Sequence, residues 1–383
     1  MKIAVCLPSL NEAKTIGDVA QIIDQGLSEA CAKYPGVEAE IVNFDSGSSD
    51  DTRAIFLHTA TTAPKKSFAI TGESGKGWNI FEFCRYAVKH DIDYCLTIDS
   101  DLISIEPAWI LSLLNPLISR NATYVTPLYE RSPFEGSSTN HFAFPFIYAL
   151  TGYLVRQPIA GDFAFTGSMA RLFLENEFSS TTVVGRYGID IFMTITVICA
   201  GSVLIQVPLG RKIHGSSFHK LEDMFPQIAA AALLSLKQKH LMRDTTQIMK
   251  AGSNIFPGAH FDHKNKAIEM KEGAIDALHR VGTTSWCSEN DVAEYIDAAA
   301  VKMPSGSEMS HAWVKILVQW IRHYRRDNIS IQEAEIAGNE LLPFFVLRAV
   351  NFWLWAETVD ASEADRVVLM QAQLLRSIII KKR

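Results

Sequence analysis

The sequence predicts a three-layer α/β fold built on a mixed, largely parallel sheet over roughly residues 1–225, followed by an α-helical region over residues 226–383. Three observations predict it. Up to about residue 125, short apolar runs alternate with helical stretches, the pattern of parallel strands covered by helices. Beyond about residue 226, apolar residues recur three and four apart and strand-like runs cease. The residues able to carry chemistry fall just after the strands, where open α/β sheets bind their ligands.

In order, KIAVCLPSL (2–10) reads as a strand, TIGDVAQIIDQGLSEACAKY (15–34) as a helix and AEIVNFDSG (39–47) as a strand. DTRAIFLHTAT (51–61) and GWNIFEFCRYAVKHD (77–91) read as helices, with KSFAIT (66–71) and DYCLTID (93–99) as strands. Residues 126–225 are mixed, with Gly, Ser and Pro punctuation in ERSPFEGSSTN, a strand in VLIQVPLG and a helix in GIDIFMTITVICAG. The helical region comprises PQIAAAALLSLKQKHLMRD, DVAEYIDAAAVKM, MSHAWVKILVQWIRHYRRD, ELLPFFVLRAVNFWLWAETV and ADRVVLMQAQLLRSIIIKKR. Its apolar stretches ILVQWI and FFVLRAVNFWLW suggest a homodimer interface.

The chain has 383 residues, 48% of them hydrophobic, enough for a large core or two domains. A net charge of -6 argues against a nucleic-acid or membrane-surface partner, although local basic residues can still hold a phosphate. Six cysteines without a C-x-x-C pair fit free thiols in a reducing compartment, hence a cytoplasmic location. The first residues read as a strand rather than a signal peptide, and no apolar stretch reaches the roughly 20 residues of a membrane-spanning helix.

The chemistry is concentrated in four loops. TIDSDL (97–102) ends an apolar strand with Asp99 and Asp101, whose side chains leave the same face of an extended segment and repel unless a positive group lies between them. A solvated loop, or a cap for the helix begun by EPAWILSLL, would account for the same residues. DSGSSDDT (45–52) puts small and acidic residues at a strand-to-helix turn, able to approach a ribose or phosphate or simply to cap a helix. GKG (75–77) sets Lys76 between two glycines, so that the backbone can come close to an anion, as an exposed turn would also allow. Glu12 in PSLNE either contacts a nucleotide or caps the next helix.

Taken in order, LPSLNEAKTI, DSGSSDDT, GKG and IDSDL resemble the nucleotide-sugar-binding half of glycosyltransferases with the A-type (GT-A) fold. LYERSP (128–133), RQPIAGDFA (156–164), RYGIDI (186–191) and PLGRKIH (208–214) are similar to the signatures of glucosyl-3-phosphoglycerate synthases and their retaining relatives, the mannosylglycerate synthases among them. The resemblance covers residues 1–225, of which 1–125 would bind the nucleotide sugar and 126–225 the acceptor. It implies a divalent metal, Mg2+ or Mn2+, held by Asp101 and His214 with Asp99 in support. A multiply charged diphosphate leaving group needs such an ion.

The resemblance further implies that Pro8, Leu10, Glu12, Asp45, Ser46 and Ser100 hold the nucleoside, Lys76 the donor side of the pocket and Lys212 the diphosphate. Gly161, Asp162, Tyr187 and Asp190 would line the sugar pocket, and Arg131, Thr139, Asn140 and Ser216 would meet the acceptor. The acceptor stretch EGSSTNHFAFP keeps Thr139 but aligns Ser137 with an arginine that grips the acceptor's phosphate in those relatives. The implied reaction is transfer of a hexose, glucose from UDP-glucose before mannose from GDP-mannose, to glycerate, 3-phosphoglycerate or another small hydroxy acid or polyol. Retention of configuration is implied; an inverting reaction would need Asp162 or Asp190 as its base. Lys76, Asp101, Asp162 and Asp190 are the catalytic candidates. A sugar nucleotidyltransferase would open with a glycine-rich, arginine-containing loop that PSLNEAKT lacks, and a non-catalytic sensor or scaffold would have no need of Asp99, Asp101 and His214.

Overall fold

The computed structural model describes residues 1–215, 220–237, 263–281, 284–300, 306–325 and 329–381. The strands are β1 (Lys2–Ser9), β2 (Glu38–Asp45), β3 (Lys65–Ala69), β4 (Tyr94–Thr97), β5 (Tyr124–Glu130), β6 (Phe163–Thr166) and β7 (Leu204–Arg211). The helices of the first half are α1 (Ile16–Lys33), α2 (Thr52–His58), α3 (Lys76–Lys89), α4 (Ala108–Ile118), α5 (Phe144–Thr151), α6 (Gly167–Glu175), α7 (Thr182–Gly185) and α8 (Ile189–Cys199). Then follow α9 (Leu221–Ser235), α10 (Lys264–Val281), α11 (Glu289–Ala300), α12 (Gly306–Tyr324), α13 (Ile331–Ala356) and α14 (Ala361–Lys381). No helix among the described residues is long and apolar enough to cross a membrane.

The chain divides into two compact units, one of residues 1–129 and 159–217, the other of residues 130–158 and 218–383. The first unit carries a seven-stranded sheet in the order β3-β2-β1-β4-β6-β5-β7. β1 pairs in parallel with β2 and β4, and β2 with β3, as the strand–helix alternation predicts. β6 runs antiparallel to both β4 and β5, which makes the sheet mixed. The chain leaves β1 toward β2 and β3 and returns to its other side as β4, so the topological switch point lies between the carboxyl ends of β1 and β4, where such sheets open a binding crevice. Both strands are buried on both faces and read as continuous apolar runs for that reason.

The second unit is helical, and the expected boundary near residue 225 omits one piece of it. Residues 130–158 belong here because their middle is apolar on every side. Thr139–Ala143 forms a π-helical turn continued by α5, and nearly all of 137–151 is buried. Arg376 on α14 donates to the carbonyls of Tyr148 and Ala149, and Trp313 on α12 donates to that of His141. Phe142 packs on Phe225 and Trp320, and Phe225 stacks on Phe345. The apolar stretches expected to face a second copy are thus largely consumed inside this unit, with Trp320, Phe344, Phe345, Phe352 and Trp353 all buried. α13 begins nine residues before ELLPFF because Ser330 and Glu333 form a capping box, and it runs through Pro343. α10 was not foreseen, and parts of the predicted helices at 238–244 and 301–303 lie outside the described residues.

An arginine and a histidine lie deep in this helical core. Arg348 is fully buried; its guanidinium donates to Gln371 and Ser310 and lies over the Phe352 ring. The His141 ring meets the same phenyl edge-on at 4.5 Å. Burial first, then the charges of Arg348 and Arg156, hold the His141 imidazole well below the usual histidine range. The unfolded chain therefore takes up a proton near pH 6.5 that the folded chain refuses, so His141's contribution is present above that pH and is lost as pH falls through it. His141→Gln is expected to flatten the loss of melting temperature between pH 7 and 5, by up to one proton's worth, roughly 1.4 kcal/mol per pH unit. An identical decline in variant and parent would place the acid sensitivity elsewhere.

Candidate active site

The site is assembled from loops at the carboxyl ends of β1, β2 and β4 with the start of α3 and the segments flanking β6 and β7. At its centre the Asp99 carboxylate lies between two ammonium groups, Lys76 Nζ at 2.7 Å from Oδ1 and Lys212 Nζ at 2.8 Å from Oδ2. Lys212 also reaches Asp162 Oδ2 at 2.6 Å and donates to the Ala160 carbonyl. Lys76 Nζ lies 3.7 Å from Asp190 Oδ1. Burial opposes ionisation of Asp99, but Lys212 and Lys76 outweigh it and hold its carboxyl far below the usual range. Burial likewise opposes charge on Lys76, yet Asp190 and Asp99 raise its affinity for the proton well above normal. These charges are interlocked, each stabilised by the others.

Asp162 anchors the cluster. It is fully buried, its Oδ1 accepting from the Asp99 backbone N–H and its Oδ2 from Tyr129 Oη and Lys212. Three donors thus converge on this catalytic candidate and give it a positioning role that its motif did not announce. Gly161 has φ +90°, and a Cβ there would come within 2.1 Å of Asp99 Oδ2, so only glycine lets the backbone pass the carboxylate. Asp190, on the first turn of α8, is almost fully buried and its carboxyl is raised, chiefly by burial, with Lys76 pulling the other way. Tyr187, half-buried, precedes it.

Asp101 and His214 lie beside this cluster. A bridge between Leu102 and His214 brings the two segments together, with His214 Nδ1 4.0 Å from Asp101 Oδ2 and both side chains about a quarter exposed. Burial and then the charge of Asp99 raise the Asp101 carboxyl. Among the described residues no group of three or more His, Cys, Asp or Glu side chains is gathered as a metal site. Asp99 in particular is taken up by the two lysines rather than joining Asp101 and His214.

The loops after β1 and β2 are held by their own side chains. Asp45 accepts from Ser9 Oγ, the Gly47 and Ser48 backbone N–H groups and Ser48 Oγ, and so ties the loop instead of offering an oxygen to a nucleoside. Ser46 Oγ donates to Asn79 and accepts from the Gly75 N–H, and Ser100 Oγ donates to the Pro8 carbonyl. Asn11, at φ +59°, receives the Ser49 N–H on its side chain; sequence reading passed over it although asparagine is among the residues that tolerate this conformation. Leu10 is 46% exposed and Glu12 is half-buried nearby.

Arg131, Thr139 and Asn140 belong to the helical unit, where they line a separate cavity with Arg156. Ser137 is buried and accepts a hydrogen bond from Trp353 Nε1, so the position aligned with an arginine has no room for one. Ser216 lies outside the described residues. Tyr129 and Arg156 went unassigned within LYERSP and RQPIAGDFA because a side chain's partners are not visible in a motif.

A switch-point crevice ringed by carboxylates, lysines and small-residue loops defines a glycosyltransferase of the A-type fold. The sequence profile described as Glycosyl transferase family 2 matches residues 4–178. Similar curated proteins include the glucosyl-3-phosphoglycerate synthase of Petrotoga mobilis, 30% identical over 62% of this chain and 74% of the relative. That of Mycolicibacterium smegmatis is 26% identical over 60% and 76%. Among solved structures, glucosyl-3-phosphoglycerate synthase from Mycobacterium tuberculosis in complex with Mn2+, uridine diphosphate and glucosyl-3-phosphoglycerate superposes with a TM-score of 0.50, at 27% identity, covering 61% of this chain and 79% of that one. The chain belongs to the family 2 glycosyltransferases, in the group of the glucosyl-3-phosphoglycerate synthases.

Removing Lys212 would leave Asp99 and Asp162 buried with fewer counter-charges. Lys212→Met is expected to cost about 3 to 5 kcal/mol of stability at pH 7. Urea unfolding of parent and variant measures it, and equal midpoints would mean that the cluster carries no such coupling.

Proposed function

We propose that this protein transfers a glucosyl group from UDP-glucose to a small hydroxy acid, glycerate or 3-phosphoglycerate, with a divalent cation and with retention at the anomeric carbon. The observation that carries the reading is the pairing of Asp101 and His214 next to the Lys76–Asp99–Lys212 cluster at the switch point. A carboxylate and an imidazole side by side, the ring's Nδ1 donating to the Gly215 carbonyl and so leaving Nε2 as its ligating nitrogen, offer the oxygen and nitrogen donors that Mn2+ or Mg2+ takes. The related M. tuberculosis enzyme binds Mn2+ and UDP. Bound there, the ion neutralises charge on a departing diphosphate.

The chain's own residues do the rest. Lys76 presents its ammonium group to the donor's phosphates, Lys212 fixes the cluster beneath it through Asp99, Ala160 and Asp162, and Asp190, facing Lys76, accepts from a sugar hydroxyl. In the transfer the bond from the anomeric carbon to the diphosphate oxygen breaks, the bond to the acceptor oxygen forms on the same face, and the acceptor's proton passes to the departing diphosphate. Retention is supported by the engagement of Asp162, one of the two carboxylates that inversion could use as its base, in hydrogen bonds from the Asp99 backbone N–H, Tyr129 and Lys212.

Thermal melting with UDP or GDP, each with and without Mn2+, tests the donor. UDP with Mn2+ at about 100 times its dissociation constant is expected to stabilise the protein by roughly 2.7 kcal/mol, and GDP to do less. Asp101→Ala and His214→Ala are expected to abolish the Mn2+-dependent part of that shift and the transfer of glucose. A Mn2+-dependent shift with GDP alone would overturn the donor, and full transfer by either variant would overturn the metal pair.

A further inference from the structure

We infer that the hydroxyl of Tyr129 is a positioning group for the metal pair: through Asp162 and Lys212 it holds Asp99 and the turn that carries Asp101, and so sets how tightly Asp101 and His214 take a divalent cation. The inference rests on the metal pair proposed above and adds the residue that keeps it in register. Tyr129 stands near the end of β5 and is fully buried. Its ring packs on Trp109 with the ring centres 5.2 Å apart, and its Oη donates to Asp162 Oδ2 at 2.6 Å.

That oxygen is shared. Lys212 Nζ donates to it at 2.6 Å, to Asp99 Oδ2 at 2.8 Å and to the Ala160 carbonyl at 2.8 Å, one acceptor for each of its three N–H groups. The same ammonium lies 5.3 Å from the centre of the Tyr129 ring. One cation is thus divided between two carboxylates, and the Tyr129 hydroxyl lets the fully buried Asp162 be satisfied with a share of it. A buried carboxylate that loses a donor must make up the deficit from the donors it keeps. Without the hydroxyl, Lys212 is drawn toward Asp162 and away from Asp99.

The shift reaches the metal pair along the backbone. On one side of Asp101, the Asp99 N–H donates to Asp162 Oδ1 at 2.8 Å and Ser100 Oγ to the Pro8 carbonyl. On the other, the Ile103 N–H donates to the Ile213 carbonyl, and Ser104 Oγ donates to the Arg211 carbonyl while accepting from the Ile213 N–H. Asp101 therefore stands in a short turn between two ties, the second of them to the segment that carries His214. Lys212 belongs to that segment and reaches back to Asp99 and Asp162, so it couples both ties. Groups that orient metal ligands without touching the ion govern its affinity by roughly 10- to 100-fold.

Tyr129→Phe keeps the ring beside Lys212 and removes the hydroxyl alone. With UDP saturating and Mn2+ varied, melting of the full chain gives the Mn2+ concentration at half of the ligand-induced shift. Tyr129→Phe is expected to raise that concentration about tenfold or more. Glucose transfer is expected to need the same increase in Mn2+ while kcat at saturating Mn2+ stays within a few-fold, which separates a positioning group from a reacting one. Tyr86→Phe is the matched control, since it removes a hydroxyl that is bonded to Glu40 and Lys66 on another face of the same unit. It is expected to leave the half-saturating Mn2+ at the parent value, whatever it does to the melting temperature without ligand. A parental value in Tyr129→Phe overturns the inference, and so does an equal rise in Tyr86→Phe, because general loosening would then account for both. A parent whose UDP shift does not depend on Mn2+ overturns the metal pair itself, and this inference with it.

Discussion

One carboxylate, that of Asp99, organises the catalytic unit. It stands two residues past β4, between the ammonium groups of Lys76, at the start of α3, and Lys212, just beyond β7. Gly161 must be glycine for its backbone to pass the same oxygen, and Asp162 is drawn in by the Asp99 N–H and by Lys212. Segments far apart in the chain are thus fixed relative to one another by a few short charge-assisted hydrogen bonds, which are strong because water is excluded from them. The loops after β1 and β2 are fixed separately, by Asp45 and Ser46, so the crevice between these strands is shaped before any ligand arrives.

Much of this order was legible in the sequence where a residue's role depends on its neighbours in the chain. The parallel half of the sheet follows from apolar runs of strand length separated by amphipathic helices, and the strand ends follow from Asp45, Lys76 and Asp99. The antiparallel β6 was not legible, because FAFT is four residues long and its direction depends on which neighbours it finds. Nor was the allegiance of residues 130–158. A segment apolar on all sides signals burial but not in which core, and only the bonds from Arg376 and Trp313 reveal that the helical unit claims it.

The chemistry divides along the same line. Lys76, Asp99, Asp190 and Lys212 came together as expected because each stands in a short motif at a strand or helix end. The anchoring of Asp162 was not legible, because it comes from Tyr129 and Lys212, partners that lie 33 and 50 residues away. Ser137 was aligned with an arginine on spacing alone, whereas Trp353, 216 residues distant, decides what that position can hold. Sequence separation, more than residue type, sets the limit of such reading.

Around Asp99 the carboxylates of Asp99, Asp101, Asp162 and Asp190 face the ammonium groups of Lys76 and Lys212, so that acids outnumber lysines where a divalent cation and a nucleotide sugar would be received. Folding alone would favour neutral, apolar packing at such a place, since buried charge is rarely the most stable choice. The arrangement makes sense if the charge balance closes with the cation and its nucleotide sugar bound.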